Sequence, residues 1–308
     1  MRRSILSFLA VSALAMPAFA DQTNFGAGSQ AAPWLKLSNN ARSTAMGEAG
    51  VAIADDVNAA SLNPAGLAQL KGQEVAFMHH AYILDSAIEH LAYGLNVGEN
   101  AGLAVSFDYL NFGAVDKYVV NTATNKLESN GTFNPSGYHL DLGAGYGFGA
   151  VSTGLNVKMV SESVDGSTAA SAFAADLGAL WKSAGGLSLG LALQDLGTKL
   201  NDANLPMGVR GGAAYKLGLG NASDALTFAA DANVPSADTG ATAFGAGLEY
   251  AAQDLYALRA GYKVAGNGGA AGFTVGAGVT YKIIHLDYAF SSVGVLGNSN
   301  QVSALLKF

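Results

Sequence analysis

The chain has 308 residues, of which 50% are hydrophobic and 13% charged, with 40 glycines, 6 prolines and no cysteine. Soluble domains carry about 25% charge and roughly 7% glycine, so this chain is unusually apolar and glycine-rich, and disorder is excluded. The lack of cysteine excludes disulfides, thiolate metal sites and cysteine nucleophiles, while a formal charge of −7 argues against a nucleic-acid partner.

Residues 1–20 have the layout of a secretory signal. Arg2 and Arg3 form a basic start, Ile5 to Met16 an apolar core, and Ala18-Phe19-Ala20 an A-x-A cleavage site. The alternative, an N-terminal membrane anchor, would ask a short stretch to span a bilayer. Cleavage near Ala20 predicts export from the cytoplasm.

Residues 21–71 do not alternate between apolar and polar. Ser43 to Ala60 is rich in alanine and glycine, Asp55-Asp56 can cap a short helix, and Asn63-Pro64 reads as an N-cap with proline at the first helical position. A barrel lined by small residues would leave a hole unless something filled it, so this segment is expected to fold into the lumen as a hatch. The alternative is a periplasmic tail.

From residue 72 to 308 the pattern is strict alternation. Leu103, Val105, Phe107 and Tyr109 share one face, Gly102, Ala104, Ser106 and Asp108 the other; Leu155 and Val157 should face lipid and Asn156 the lumen. Strands are expected over 73–83, 88–98, 101–113, 134–149, 151–164, 170–182, 186–199, 205–217, 224–236, 241–251, 255–264, 270–283, 284–293 and 299–308. Their large side chains all fall on one face, opposite glycine, alanine, serine and balanced charge. That combination predicts an all-β fold, a transmembrane antiparallel β-barrel of about 14 strands with a small N-terminal hatch in its lumen. Connections alternate between tight turns and longer loops, the longest running from Ala114 to Phe133.

Catalytic chemistry finds little support. His139 and Asp141 share an inward face and His79-His80 are adjacent, but no G-x-S-x-G elbow, H-E-x-x-H pair or phosphate loop is present. The reading is therefore non-enzymatic, with no cofactor and no metal. The inward charges, among them Lys158, Arg210, Arg259 and Lys263 against Asp108, Asp141, Asp176, Asp231 and Glu249, nearly balance and are read as contacts to neighbours and to the hatch.

Several stretches resemble a known family. Asn40-Ala41-Arg42, the run Ala45 to Asp56, and Asn63-Pro64-Ala65-Gly66-Leu67-Ala68 are similar to the N-terminal region of PorV/PorQ-type proteins, part of the wider FadL-like group of outer-membrane barrels. Asp195-Leu196-Gly197 with Leu205-Pro206 and Arg210 to Tyr215 resembles the central hairpin of that family, and Leu286 to Phe290 with Leu296-Gly297 and a terminal Phe308 resembles its end. Asn300-Gln301 departs from the His-Arg expected there.

The resemblance implies a 14-stranded barrel with a hatch, in which Asn63, Pro64, Ala65 and Gly66 form the hatch motif near a wall opening. It implies two functional classes. One is a gated port or binding site for hydrophobic small molecules, with a pocket lined by Met46, Val51, Ile53 and Leu67. The other is a type IX secretion-associated surface protein that handles secreted cargo through loops around 114–133 and 163–171. Expected partners are outer-membrane lipid, a hydrophobic small molecule, secreted proteins or secretion-apparatus components, and the barrel assembly machinery that would read the C-terminal Phe308.

Overall fold

The computed structural model describes residues 30–164, 169–220, 224–236, 241–265, 271–294 and 297–308. The expected signal sequence, and residues 21–29 of the expected hatch, lie outside them. The strands are β1 (Gln73–Ala81), β2 (Ala87–Asn96), β3 (Ala101–Asn111), β4 (Val115–Asn121), β5 (Lys126–Phe133), β6 (Ser136–Phe148), β7 (Val151–Ser163), β8 (Ala170–Lys182), β9 (Leu187–Gly197) and β10 (Gly208–Gly218). They continue as β11 (Ala225–Pro235), β12 (Ala243–Ala252), β13 (Tyr256–Ala265), β14 (Gly272–Tyr281), β15 (Ile284–Ser292) and β16 (Asn298–Lys307).

All but β4 and β5 join in one closed antiparallel barrel, each strand beside its neighbour in sequence, with β3 beside β6 and β1 beside β16. Closure is made by the register Glu74↔Lys307 to Ala81↔Asn300, and Gln73 N–H donates to the Phe308 carbonyl at 2.7 Å. No strand edge is left unpaired in the ring, the condition that hydrocarbon imposes on a sheet.

The alternation in the sequence sets the two faces of the wall. Leu155 and Val157 are 46% and 47% exposed on the outside, whereas Asn156 between them is fully buried. A water-soluble domain would reverse this order, so the outer surface is built for an apolar solvent. Aromatic side chains gather at both rims. Tyr138, Phe173, Phe244, Tyr262 and Phe273 lie toward one end, and Tyr146, Phe148, Tyr215, Tyr250, Tyr256 and Tyr281 toward the other. Paired girdles of this kind mark the headgroup levels of membrane barrels.

The second of these ends carries tight turns, such as 149–150 and 282–283, and the first carries longer connections, including 198–207. The longest expected loop is not irregular. β4 and β5 form a separate hairpin within it, because Val115, Tyr118, Val119, Val120 and Leu127 favour extended chain and Asn121 Oδ1 accepts from Ala123 and Thr124 N–H to close the turn.

Residues 30–71 lie against the buried face of the strands. The segment starts at the long-loop end, where Ala31 N–H donates to the Asn204 carbonyl (3.0 Å), and reaches the tight-turn end, where the Gly72 carbonyl accepts from Asn96 N–H (2.8 Å). On the way it makes a 3-10 turn (Pro33–Lys36), α1 (Ala41–Ala45), α2 (Ala59–Leu62) and a second 3-10 turn (Pro64–Gln69). Asn40 caps α1 through Ser43 N–H at 3.2 Å. Asn63 caps the second 3-10 turn through Ala65 N–H, as the Asn-Pro pair predicts.

Candidate functional site: the lumen and its outer cavity

Glycine brings the segment to the wall. Gly102, Gly145, Gly154 and Gly178 stand opposite one another on β3, β6, β7 and β8. A Cβ on Gly154 would run into the Pro64 backbone, one on Gly102 into the Leu67 carbonyl, and one on Gly178 into Asn63 Oδ1. The row therefore lets the segment's backbone lie directly on the sheet.

Polar groups of the wall then satisfy backbone that the short helices leave free. Asp231 Oδ2 accepts from Gly50 N–H (2.8 Å) and Val51 N–H (2.9 Å), Glu74 from Val57 N–H (2.8 Å), and Gln301 Nε2 donates to the Ser38 carbonyl (2.6 Å). Charges pair across the same boundary. Arg42 meets Glu249 (2.8 Å), Lys263 meets Glu48 (2.6 Å) and Arg210 bonds the Glu48 carbonyl, while Arg42 also pairs with Asp55 within the segment (3.1 Å) and Arg210 with Asp231 within the wall. Glu249 raises the half-buried Arg42 guanidinium well above its ordinary range, so that side chain stays charged. Burial, and then the adjacent Asp55 charge, push the Asp56 carboxyl up.

Neither aspartate takes the expected cap role on α2, whose N-cap residue, Asn58, makes no side-chain cap bond. Asp56 Oδ1 accepts from Asn58 N–H at 2.8 Å, just before α2, whereas Asp55 is spent on Arg42. Further up the lumen His139 Nδ1 meets Asp141 at 3.0 Å and its Nε2 faces Asp108 at 3.4 Å. His90 Nδ1 also meets Asp108, at 2.9 Å. Lys158 bridges Asp176 (3.0 Å) and Asp195 (2.5 Å) where the β8–β9 register shifts by a bulge. Both nitrogens of His139 thus face carboxylates.

The hatch-motif residues come together at the wall. Asn63 is fully buried; its Nδ2 donates to the Val51 carbonyl (3.0 Å) and, across the boundary, to the Ala179 carbonyl of β8 (3.1 Å). Ala65 is fully buried, and Gly66 is held so close to Ala54 that a Cβ would sit 2.6 Å from its carbonyl oxygen.

The expected ligand-pocket lining does not assemble. Met46, Val51 and Leu67 are each fully buried in packed contacts, Met46 with Ile53, Ala214 and Ala229, and Leu67 with Val57, Leu70 and Ala92. Ile53 alone of the four borders a cavity described here, a void of about 10 Å³ beside Arg42 and Asp55. The reason is the glycine row and its neighbours. A wall without side chains leaves no gap between it and the segment, so apolar residues that point outward from the segment pack rather than line a void.

Apolar space lies instead at the long-loop end. A cavity of about 630 Å³ is bounded by Pro33, Trp34, Leu37, Tyr82, Ile83, Leu84, Leu110, Phe112, Val115 and Pro135. It is formed by the first 3-10 turn, the β1–β2 loop, the end of β3 and the base of the hairpin. Pro33 starts the turn at its first position, which aims Trp34 inward, and Trp34 is 5% exposed. A sequence signal was present in Pro33-Trp34-Leu35-Lys36-Leu37, a bulky apolar run just ahead of a segment otherwise made of small residues.

The sequence profile of the UPF0164 family, described as an uncharacterised protein family, matches residues 6–181. No curated protein matches the chain. Among solved structures, the Pseudomonas putida toluene transporter TodX is similar with a TM-score of 0.66 at 12% identity, over 87% of this chain and 97% of that one. The Ralstonia pickettii toluene transporter TbuX is similar with a TM-score of 0.59 at 14% identity, over 89% and 99%. A Pseudomonas aeruginosa FadL homologue follows with 0.55 at 11%, over 88% and 99%. At these identities the likeness establishes a shared fold: a barrel of the FadL/TodX type.

Proposed function

We propose that this chain, which belongs to the UPF0164 family, is a non-enzymatic outer-membrane port that takes hydrophobic small molecules at the cavity above Trp34. The observation that carries the reading is that cavity itself: about 630 Å³, walled mostly by apolar and aromatic side chains with Ser86 and Asp116 among them, at the end of the barrel with the longer loops. An apolar outer band between two aromatic girdles supports the membrane setting, and the signal-like residues 1–20, cleaved near Ala20, would bring the chain there. In this reading residues 21–71 are the hatch, and the Asn63-Pro64-Ala65-Gly66 motif ties it to β8. The TodX and TbuX names, which speak of toluene transport, agree in kind with an apolar ligand.

Binding of N-phenyl-1-naphthylamine to the purified protein, followed by its fluorescence, tests the proposal. Ile83→Glu places a carboxylate in the apolar wall and should weaken binding about tenfold or more, because that charge must be desolvated or the cavity flooded. Saturable binding lost in the variant supports the site; binding that is absent, or indifferent to the charge, removes it.

The finer resemblance to PorV/PorQ proteins supplies a second reading, a surface protein that handles secreted cargo. It draws on the β4–β5 hairpin, where Tyr118 and Val120 are each 57% exposed and Leu127 69%. Co-purification of secreted proteins with the intact chain, lost on removal of residues 115–133, would favour it over uptake.

A further inference from the structure

Trp34 borders two cavities of opposite character. On one side lies the apolar cavity just described. On the other lies a small polar chamber of about 50 Å³, whose lining includes Asn39, Ser61, Asp108, His139, Lys158 and Asp195. Leu37 also borders both, but Trp34 is the larger side chain.

The seat of the indole is built. Its ring stacks on the His139 imidazole, with centroids 5.4 Å apart and planes 25° from parallel. His139 is itself pinned from both nitrogens by Asp141 and Asp108, so the surface under the indole is fixed. Beside it, position 137 has no side chain, and a Cβ there would lie 2.7 Å from Trp34 Cζ2 and 2.9 Å from Cε2. Trp34 Nε1 is buried without a hydrogen-bond partner. A buried N–H left unpaired is costly, and an indole usually finds an acceptor. Stacking and shape hold the ring here, without the hydrogen bond that would lock it. The seat thus favours one position of the ring while leaving departure from it comparatively easy.

We propose that Trp34 is the residue that sets how deep a ligand goes: closed on His139 it is the floor of the apolar cavity, and swung away it opens the polar chamber around Lys158 and Asp195. This rests on the uptake reading, since it assigns the inner limit of the same site. It also bears on ligand class. A purely apolar molecule has reason to stop above Trp34, whereas one with a polar or charged group gains partners by displacing it. The apolar cavity is several times larger than the roughly 150 Å³ that accommodates one benzene ring, so the ligand class above the floor extends beyond single-ring hydrocarbons.

The chain contains no cysteine, so one introduced thiol reports alone. Ser61→Cys puts that thiol on the chamber wall, and its rate of alkylation by N-ethylmaleimide in the full-length purified protein reads the opening of the floor. The rate should be slow with Trp34 intact and about tenfold or more faster with Trp34→Ala, because opening then has no stacked ring to displace. Gly137→Val, which crowds the seat without touching the indole's chemistry, should also accelerate it, while Trp34→Phe, which keeps a ring on His139, should stay near the original rate. Fast labelling with Trp34 intact would mean that the chamber opens by another route and overturns the proposal. So would labelling indifferent to both Trp34→Ala and Gly137→Val. Naphthylamine binding, measured on the same samples, stands apart: its loss with gating retained counts against the uptake reading alone.

Discussion

Asn63 does three things with one side chain. Its oxygen caps the turn that begins at Pro64, and its nitrogen joins Val51 in the segment to Ala179 in the wall. Removal as Asn63→Ala leaves an uncapped turn and two buried carbonyls short of a donor, a cost of about 2–3 kcal/mol. Asn63→Asp separates the roles, because it keeps the acceptor for the cap and loses both donations. Urea or thermal unfolding of the detergent-solubilised protein should show Asn63→Asp to be at least as damaging as Asn63→Ala. An aspartate variant as stable as the parent would mean that the cap, and not the tie to β8, is what matters. The Asn-Pro cap was legible in the sequence because it is local chemistry. The bond to Ala179 was not, since it spans residues 63 and 179 and depends on how β8 is placed.

At the scale of the strand, the solvent decides what a substitution costs. β7 runs from Val151 at the tight-turn rim to Ser163 at the other, and Leu155 and Val157 face outward between the girdles. Arginine at the bilayer midplane costs about 2–4 kcal/mol on the lipid face and about 0–1 near the interfaces. Leu155→Arg should therefore impair folding into lipid vesicles much more than Val151→Arg, on the same strand and the same face. Equal penalties would place the apolar band elsewhere. Substitution at Asn156 offers no mild control, for that residue is fully buried and its Nδ2 donates to Asp176 at 3.2 Å. The face it occupies follows from alternation alone; its burial follows from the segment that lies over it. The β4–β5 hairpin shows the converse case. Its residues favour extended chain, but pairing outside the barrel is a choice between partners that only the long connection between β3 and β6 settles.

The whole molecule is closed by its last strand. β16 pairs with both β15 and β1, and Phe308 exchanges backbone hydrogen bonds with Gln73 in both directions, at 2.7 and 2.9 Å. A closed barrel of this kind should run as a heat-modifiable band in detergent gels and fractionate with the outer membrane. Deletion of Phe308 removes both closing bonds together with the terminal aromatic that resembles an assembly signal, and should lower the amount of folded band. An unchanged folded fraction would show that closure and assembly are set further up β16, and recovery from the soluble periplasm would sink the membrane assignment.

The barrel, its faces, its strand count and the run of tight turns and longer loops were all determined by the sequence itself. Period-two alternation is a property of the backbone, and a face that is apolar on every strand has only one kind of solvent to meet. The Asn63 cap belongs to the same class, since its partner lies two residues away. The ligand space was decided by tertiary structure. Met46, Val51 and Leu67 look like pocket residues while the wall facing them is unknown. They become packing residues once Gly102, Gly145, Gly154 and Gly178 fall in one row and admit the segment's backbone to the sheet. Trp34, Tyr82, Leu110, Phe112 and Pro135 converge on a cavity only because four separate stretches of chain meet at one rim. Alternation records which way a side chain points, and a cavity depends on what stands across from it.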